Sequence, residues 1–490
     1  MALYGGVELV GQPNLENVAK LDLLPMPAIN EMMKIGFAVD LPYFDALTQE
    51  LTEEMKELRI QICSAIPEDK LDEFIERSNL DADDDYLPMN VESSVQLSSL
   101  LFDVLGIGGS RQLKMTKSGD RPSTGKKQLE QLKREHPVVQ RVLEYRERSK
   151  LRSTYAEAIP EVAKFHHEGQ CWCGFRHLGE SWRVHTQILT TRTSTGRLAS
   201  KKINQQNISA RSPLGRRVRK GFVASPGMEL VSADFSQIEV RGTADYTGDP
   251  NLLRIFSLNL DPHEDTAKRA FGLGLDEKPD KLTQRDPSKT TTFLVIYSGS
   301  EVALLDTLIT NFAMVKTPEH PYGMPPPDWL TLEWCKEFIH KYLYELYPTI
   351  PPYWEQQDYR AYRYGCVWTK MGRIRRVPEV RSVHKRVVAA GLRQARNQPI
   401  QGWAADANKV SVAEIHNDAV MLHRNEGIAC HSILSVHDEM ICEVEQGYGD
   451  GLKGMMEYMM SEVLRDRDTG EWMCKVPIRS EGKVMGRWEK

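Results

Sequence analysis

The sequence has none of the features that mark membrane or secreted proteins. No apolar run approaches the ~20 residues needed to span a bilayer, and the N-terminus has no basic segment followed by an apolar one, as a signal peptide requires. The eight cysteines are scattered over 490 residues, which is typical of reduced thiols and not of a disulfide framework. These absences predict an intracellular protein with no membrane partner.

A strong excess of charge of one sign is also missing, since the net charge is only −5. The charges are nevertheless segregated along the chain. Residues 197–220 carry eight lysines and arginines and no acid, whereas residues 363–396 carry ten against the single acid Glu379. A run of charge is often only a solvated face, but two basic runs in one chain predict basic surfaces that face a polyanion.

One group of potential zinc ligands stands apart from these patterns. It consists of His166, His167, Cys171, Cys173 and His177. The Cys-x-Cys spacing differs from the usual Cys-x2-Cys, and two of the histidines are adjacent. We favour an ordinary hairpin insertion here and keep a zinc site as the alternative.

An aspartate ends a predicted buried strand near the middle of the chain. The apolar residues Val231 and Ala233 lead directly to Asp234, so this carboxylate is expected at a strand end that ligands can reach. Glu239 follows five residues later on a predicted helix. Taken alone, such an aspartate is usually only a helix cap.

A second aspartate gives Asp234 a partner. Two short apolar segments, 433–436 and 440–444, are joined by His437, Asp438 and Glu439, which predicts a β-hairpin with a tight His-Asp-Glu turn. An acidic pair at a hairpin tip is unfavourable unless it binds a cation. Two carboxylates borne on strands are what a two-metal phosphoryl-transfer site requires.

Residues at intervals of four within 285–299 form one ridge of a predicted helix. They are Arg285, Lys289, Phe293 and Tyr297. The ridge drifts by about 40° per step, and its order of two cations, a ring and a phenol suits a nucleotide's phosphates and base. A helix with one basic and one aromatic turn is the common alternative. Pro287 suits the first turn, with Asp286 as the cap.

These segments resemble motifs of the family A DNA polymerases, the relatives of bacterial DNA polymerase I. Asp234-Phe-Ser-Gln-Ile-Glu-Val-Arg241 resembles motif A, residues 285–297 resemble motif B, and His437-Asp-Glu439 resembles motif C. Three further family elements are similar to Thr195-Gly-Arg-Leu198, Gly372-Arg-Ile-Arg-Arg-Val-Pro-Glu379 and residues 393–406. The resemblance covers about residues 26–490, with the motifs in the family's order.

The resemblance implies an α+β right-hand polymerase fold with an antiparallel-sheet palm, helical fingers and a helical thumb. It also implies a division of the chain into five parts. These are an N-terminal extension (1–25), palm-proximal helices and thumb (26–185), the first part of the palm (186–260), fingers (261–397) and the second part of the palm (398–490).

The same resemblance implies template-directed addition of deoxynucleotides to a primer 3′-hydroxyl, in DNA replication or repair. Asp234 and Asp438 would bind two Mg²⁺ ions, with Mn²⁺ able to substitute, and the backbone carbonyl of Phe235 would complete the site. Lys289 would give a proton to the leaving group. Glu439 is expected to be a further catalytic carboxylate, with orientation of its neighbours as the alternative role.

Two sets of residues would contact the substrates, by the same resemblance. The nucleotide-binding set is Arg285, Lys289, Phe293, Tyr297, Gln237, Glu239 and His263. The DNA-binding set is Arg197, Asn204, Gln206, Asn207, Arg393, Asn397, Gln401 and His437. Glu239 would be a steric gate against the ribose 2′-hydroxyl, and Phe293 predicts discrimination against dideoxynucleotides.

The chain departs from the family pattern at several positions. Ile203 and Ser209 stand where proline is usual, Leu294 and Ser298 where glycine is usual, and Trp403 where a smaller residue is usual. These departures affect the expected flexibility of the motif B helix at its hinge and the expected accuracy of nucleotide selection.

Two rival functions are disfavoured by the motifs. A single-subunit RNA polymerase is disfavoured by Glu239 and by the His437-Asp-Glu turn. A primer–template-binding factor with a decayed polymerase fold is disfavoured because both aspartates and both motif B cations persist.

Only about 25 residues precede the polymerase-like region, so we expect neither a proofreading exonuclease nor a 5′ nuclease in this chain. The expected partners are primer–template DNA, deoxynucleoside triphosphates, and a separate exonuclease, helicase or processivity factor. The protein itself is expected to be a monomer.

Overall fold

A four-stranded antiparallel sheet forms the centre of the structure. The structure, a computed structural model, describes residues 3–78, 80, 89–109, 113–133, 135–167, 180–210, 212–274, 276–315, 317–318, 320 and 323–489. In spatial order the strands of the central sheet are Ser480–Met485, Met228–Phe235, Glu439–Glu445 and Cys430–Val436. Its two middle strands are almost entirely buried, because helices pack against the sheet.

Helices surround this sheet and extend away from it. The α-helices are Leu15–Leu23, Met26–Ile35, Leu41–Cys63, Leu71–Ser78, Ser94–Ser98, Lys126–Leu132, Pro137–Leu151, Ala158–Val162, Pro213–Lys220, Ile238–Thr247, Pro250–Ser257, Pro262–Phe271, Asp286–Ile296, Glu301–Met314, Leu332–His340, Ile350–Tyr364, Lys385–Glu426 and Gly449–Glu462. Short π-helical segments are Ser99–Val104, Arg152–Ala156, Lys281–Arg285 and Lys341–Leu346. Within the described residues, no helix is both long and apolar enough to cross a membrane.

Three small antiparallel sheets complete the architecture of the described ranges. Ser181–Val184 pairs with Phe37–Ala38 and Lys164–His166, Gln187–Leu189 pairs with Ala199–Lys201, and Cys366–Trp368 pairs with Ile374–Arg376. The mixture of antiparallel sheets and separate helical regions is the α+β class that the sequence predicts.

Two predictions from apolar spacing are confirmed. Apolar residues recur at spacings of three and four over 47–62, which predicts one apolar stripe on a helix. The helix Leu41–Cys63 has this stripe and buries Leu47, Leu51, Met55, Leu58 and Ile62. The helix Met26–Ile35 ends at Gly36, whose φ of 70° is left-handed. A Cβ at Gly36 would lie 2.7 Å from the carbonyl oxygen of Val184, so the position also requires the absence of a side chain.

The helices also form separate hydrophobic cores. One core lies within residues 62–142 and includes Phe74, Leu100 and Val139. Another joins residues 240–256 to 295–353. The helical spacing of the aromatic residues within 334–354 predicts core rings rather than base-stacking surfaces, and Tyr342, Tyr347 and Tyr353 are buried in this second core, while Phe338 is buried outside it.

Several local predictions need correction. The many acidic residues of 68–85 predict an exposed connection, but this stretch contains the helix Leu71–Ser78, because the buried ring of Phe74 anchors it. The sequence over 94–105 predicts one helix, which in the structure passes into a π-helical segment at Ser99. The sequence also predicts one helix from Pro137 to about Ile159, which a π-helical segment at 152–156 interrupts.

The boundaries of the helix in motif B and of the turn in motif C also differ from prediction. Asp286 is the first helical residue and not the cap, since Arg285 occupies the cap position at the end of a π-helical turn. The helix stops at Ile296, which leaves Tyr297 just beyond the last turn. Glu439 is not part of the hairpin turn, because it already pairs with Val436 and Asp234 as the first residue of a strand.

Residues 3–25 are built into the main core. Leu3, Val7 and Leu21 are buried there, and the helix Leu15–Leu23 is capped by the Asn14 side chain. The sequence does not predict this helix, because its nine residues carry only a short apolar pattern.

A network of buried charges attaches this N-terminal helix to the rest of the chain. Asp22 accepts hydrogen bonds from Arg373 (2.8 and 3.2 Å) and from Lys409 (2.5 Å), and Arg373 also donates to Asp406 (2.7 Å). Burial raises the pKa of Asp22, but the hydrogen bonds and charges of Arg373 and Lys409 outweigh it, and the net pKa is lowered. The carboxylate is therefore held ionised between two cations.

The network reaches the loop that presents Arg197. Gly196 has a φ of 85°, and a Cβ there would lie 2.5 Å from Nε of Arg373. Lys409 also donates to the carbonyl oxygen of Thr190 (3.1 Å). Asp22 thus supports, through Arg373 and Lys409, both ends of the loop 190–196.

We expect Asp22→Asn to lower the free energy of unfolding by about 2–4 kcal/mol, because Lys409 and Arg373 would then share one buried carboxylate. Urea unfolding measures this change. Glu16→Gln is the matched control, since Glu16 lies on the same helix in an exposed pair with Lys20 (3.5 Å) and should cost less than about 1 kcal/mol. Equal stability of the two variants would contradict the account.

Candidate active site and nucleic-acid groove

The two predicted catalytic aspartates lie at one corner of the central sheet. Asp234 is the penultimate residue of its strand and lies opposite Glu439 on the neighbouring strand. The N–H of Phe235 donates to the carbonyl oxygen of Asp438 (3.3 Å). His437, with a φ of 58°, and Asp438 form the tight turn that leads into this strand. The antiparallel pairing therefore places Asp438 beside the end of the Asp234 strand.

The electrostatics of this corner are those of a cation site. Burial raises the pKa of Asp438, the negative charge of Asp234 raises it further, and the result is about 7. Arg197 opposes this shift without cancelling it. Two carboxylates that repel each other in a buried corner are stabilised by a bound cation.

The donor set fits a hard divalent ion. Carboxylate and carbonyl oxygens are the ligands that Mg²⁺ prefers, and Asp234, Asp438 and the carbonyl of Phe235 supply them. Within the described ranges, no three His, Cys, Asp or Glu side chains are grouped as metal ligands. The corner therefore offers a pair of carboxylates and not a triad.

Glu439 points to a different partner. Its carboxylate lies 3.7 Å from Nη1 of Arg219, and Arg219 also packs over the ring of Trp488 at 3.9 Å. Burial lowers the pKa of Arg219, while the charges of Glu439 and Asp234 raise it. The role of Glu439, catalytic or orienting, stays a prediction.

The prediction of a basic surface over 197–220 is partly wrong, as Arg219 and Arg217 show. Arg219 is only 4% exposed, and Arg217 is bound to Glu50 (2.8 Å) and Glu54 (2.7 Å). Part of this positive charge is therefore neutralised within the protein. The sequence could not reveal it, because the acidic partners lie far away in the chain.

The two cations of motif B, Arg285 and Lys289, lie near Asp261 and His263. Arg285 donates to the carboxylate of Asp261 (2.5 Å), which also caps the helix that begins at Pro262. The His263 ring lies 5.6 Å from that of Phe293. Burial lowers the pKa of His263 to about 4, and Lys289 and Arg285 contribute to this shift. His263 is therefore a neutral imidazole next to the two cations.

Glu239 contacts two predicted site residues, and a third is bound to one of them. It accepts hydrogen bonds from the guanidinium of Arg197 and from the hydroxyl of Tyr297. Burial and the charge of Glu239 raise the pKa of Tyr297. Asn397 donates to the backbone carbonyl of Tyr297 (3.1 Å). Motif A, the motif B helix and the long helix Lys385–Glu426 thus meet at Tyr297.

Two clefts open on either side of Tyr297. One has a volume of about 730 Å³ and is lined by Glu239, Lys289, Phe293 and Tyr297 together with the helix 301–314. The other, of about 370 Å³, is lined by Arg375, Arg393, Asn397, Gln401 and Tyr297, among others. Arg375 also lines this groove, although the sequence singled it out only as part of a basic run and of the element 372–379 and not as a site residue.

Other predicted site residues lie apart from the two clefts or make internal contacts. Gln206 is buried and donates to the carbonyl oxygen of Ser435 (2.9 Å), and Asn204 accepts a hydrogen bond from Ser200 (2.7 Å). Asn207 and His437 are exposed. Gln237 has a left-handed φ of 55° just before the helix Ile238–Thr247.

The candidate zinc cluster falls largely outside the described residues. Cys171, Cys173 and His177 lie there. Of the two described histidines, His166 contacts His185 (Nε2 to Nε2, 3.0 Å) and His167 contacts Glu180 (3.3 Å). The zinc alternative stays a prediction.

Three departures from the family pattern have physical accounts. Ile203 has a φ of 65°, which proline cannot adopt. Ser298 has a φ of 53°, so this serine takes the left-handed conformation that glycine favours. The fully buried Trp403 packs on Gly242, where a Cβ would lie 3.0 Å from the indole ring. The small residue on the facing helix makes room for the large one.

The chain belongs to DNA polymerase family A, whose family model matches residues 43–490. Among curated relatives, the thermostable DNA polymerase I of Thermus aquaticus is 32% identical over 465 residues, which cover 95% of this chain and 47% of the relative. DNA polymerase I of Deinococcus radiodurans is 33% identical, with 81% and 36% covered. The chain therefore spans about half the length, or less, of these relatives.

A solved structure with the same fold supports this assignment. The POL domain of Pol1 from M. smegmatis, in complex with DNA primer-template and dNTP, aligns with a TM-score of 0.74 at 26% identity, covering 96% of this chain and 72% of that one. The predicted right-hand polymerase fold is confirmed. Members of this family generally need divalent metal ions.

Proposed function

We propose that this chain is a template-directed DNA polymerase that adds deoxynucleotides to a primer 3′-hydroxyl inside the cell. The observation that carries the proposal is the corner of the central sheet where strand pairing places Asp438 beside Asp234, and where burial and the charge of Asp234 together raise the pKa of Asp438 to about 7. This corner belongs to a chain whose motif B helix presents two cations and a ring. Binding alone needs no such pair of carboxylates, whereas nucleotidyl transfer does.

Asp234, Asp438 and the Phe235 carbonyl would hold two Mg²⁺ ions, or Mn²⁺ in their place. When bound, such ions lower the pKa of the attacking hydroxyl and neutralise the leaving pyrophosphate. Glu439, fixed by Arg219, keeps the strand end in place. His437 at the exposed turn contacts the primer terminus.

Arg285 and Lys289 bind the triphosphate of the incoming nucleotide. Asp261 holds Arg285 at the head of the helix, so that the guanidinium is oriented before the nucleotide arrives. Lys289 can give a proton to the pyrophosphate as it leaves. Neutral His263 lies beside both cations without adding to their repulsion, and Phe293 stacks on the base or sugar.

The remaining site residues bind the primer–template. Arg393, Asn397 and Gln401 line the groove beside Tyr297, and Arg197 contacts the minor groove of the newly formed pair. Asn204, Gln206 and Asn207 support the DNA behind it, with Gln206 acting through its contact with Ser435. Gln237, like Glu239, follows the strand end and lies at the nucleotide side.

We assign the parts of the hand in the same way. The central sheet is the palm, the helices within 261–397 are the fingers, and the helices within 26–185 include the thumb.

Primer extension tests the proposed function. With Mg²⁺ and four deoxynucleotides, the wild-type protein should extend a labelled DNA primer on a longer template. Asp438→Asn should lower the rate by on the order of 10³-fold, whereas the control Asp450→Asn, at a carboxylate that is 92% exposed, should not. Extension by Asp438→Asn at the wild-type rate would refute the metal site. Primer binding without extension by the wild-type protein would favour a binding factor.

A second experiment separates the volume of Glu239 from its charge. If Glu239 excludes the 2′-hydroxyl sterically, Glu239→Ala should raise ribonucleotide incorporation relative to deoxynucleotide incorporation by roughly 10- to 100-fold. Glu239→Gln keeps the volume and should stay selective, even though it loses the ionic contact with Arg197. Single-nucleotide incorporation kinetics measure both ratios. A relaxed Gln variant would show that charge and not volume sets the selection.

A further inference from the structure

One exposed face of the helix Ile350–Tyr364 is unusually rich in rings and guanidinium groups. Tyr359, Tyr362 and Tyr364 are 61%, 55% and 57% exposed, although aromatic side chains normally lose such exposure on folding. Arg360 and Arg363 alternate with them in the sequence. Together with Trp368 on the following strand, these residues are called the tyrosine–arginine face.

The members of this face contact one another and leave ring surfaces open. The guanidinium of Arg360 lies 4.4 Å from the ring of Trp368, and the Tyr364 ring packs edge-on to the same indole at 5.8 Å. Tyr359 meets Tyr364 edge-on at 6.4 Å. Edge-on packing holds these rings in place while their flat surfaces stay accessible.

The charge of the face is positive. Among the described residues, neither Arg360 nor Arg363 forms an ion pair with a carboxylate, and the nearby acid Asp358 is neutralised by Arg396 (2.6 and 2.9 Å). Guanidinium groups interleaved with open rings are the combination that binds single-stranded nucleic acid, since phosphates pair with the cations and bases stack on the rings.

The face lies one hairpin away from the proposed primer–template groove. Trp368 pairs with Ile374 across the hairpin that joins Cys366–Trp368 to Ile374–Arg376. The next residue, Arg375, lines the groove together with Arg393 and Asn397. Cα atoms of paired residues in such a hairpin are about 5 Å apart, but successive strand residues point to opposite faces. Arg375 and Trp368 therefore lie on opposite sides of the hairpin, and only the edge of the hairpin separates the groove from the tyrosine–arginine face.

We propose that the tyrosine–arginine face binds the unpaired template strand next to the groove, by stacking of its bases on Tyr359, Tyr362 and Tyr364. This inference rests on the proposed function, because the groove identifies which single strand is near. The template strand crosses the edge of the hairpin from Arg375 to Trp368, and Arg363 pairs with its phosphates. A single strand fits better than a duplex, whose bases are not open for stacking.

Fluorescence anisotropy, in the absence of nucleotides, tests this binding separately from catalysis. Two DNAs share one duplex and differ only in the template overhang, which is one nucleotide or about 15 thymidines. The wild-type protein should bind the long-overhang DNA more tightly. The triple variant Tyr359→Ala/Tyr362→Ala/Tyr364→Ala should lose about tenfold or more in affinity for the long overhang and bind the short one as the wild type does.

Two further variants test whether the loss of affinity is specific to this face and whether Arg363 contacts a phosphate. Tyr344→Ala/Tyr458→Ala removes tyrosines that are 58% and 63% exposed on other helices and should leave both affinities unchanged. Arg363→Gln should reduce the salt dependence of long-overhang binding by about one unit of slope on a logarithmic plot, because one phosphate contact is lost.

Three outcomes would overturn the inference. In the first, the wild-type protein binds the long-overhang DNA no more tightly than the short-overhang DNA. In the second, the triple variant still binds the long-overhang DNA more tightly, and in the third it loses the same affinity for both DNAs. The second outcome would make the face a surface for a protein partner. Failure of the wild type in primer extension would count against the proposed function alone, because the binding assay needs no catalysis.

Discussion

The repulsion between Asp234 and Asp438 is the constraint on which the site depends. Antiparallel pairing of the two middle strands places one carboxylate at a strand end and the other in the adjacent turn. Strands buried on both faces give the two groups little freedom to separate. The two carboxylates repel each other when no cation is bound. A bound cation removes this repulsion, and its binding is therefore favoured.

The groups around this corner are arranged so that charges are shared and not isolated. Glu439 is held by Arg219, Arg285 by Asp261, and Glu239 by Arg197 and Tyr297. The contact of Glu239 with Tyr297 also joins the proposed nucleotide site to the proposed primer–template groove, because Asn397 on the long helix donates to the carbonyl oxygen of Tyr297. A nucleotide that displaced Tyr297 from Glu239 would therefore change both clefts at once.

The sequence could predict the features that depend on local pattern. The strand that leads to Asp234, the hairpin around Asp438 and the four-residue ridge of motif B follow from apolar spacing and turn chemistry, and the structure contains all three. Boundaries were less accurate where tertiary contacts decide them, as at Asp286, whose capping position is taken by Arg285 after a π-helical turn.

The features that could not be predicted depend on residues distant in the chain. Nothing local to Asp22 indicates that it meets Arg373 and Lys409, and nothing local to Trp403 indicates that Gly242 faces it. Arg219 and Arg217 have the same local appearance as surface cations, yet their acidic partners neutralise them. Charge patterns in sequence therefore overestimate basic surface, because they do not reveal which charges fold against each other.

Binding of Mn²⁺ tests the central claim most directly. Electron paramagnetic resonance of free Mn²⁺ can be followed as the ion is added to the protein with a dideoxy-terminated primer–template and a matching nucleotide. The account predicts that Asp234→Asn and Asp438→Asn each weaken Mn²⁺ binding by about tenfold or more, whereas Asp450→Asn does not. Wild-type Mn²⁺ affinity in both corner variants would contradict it.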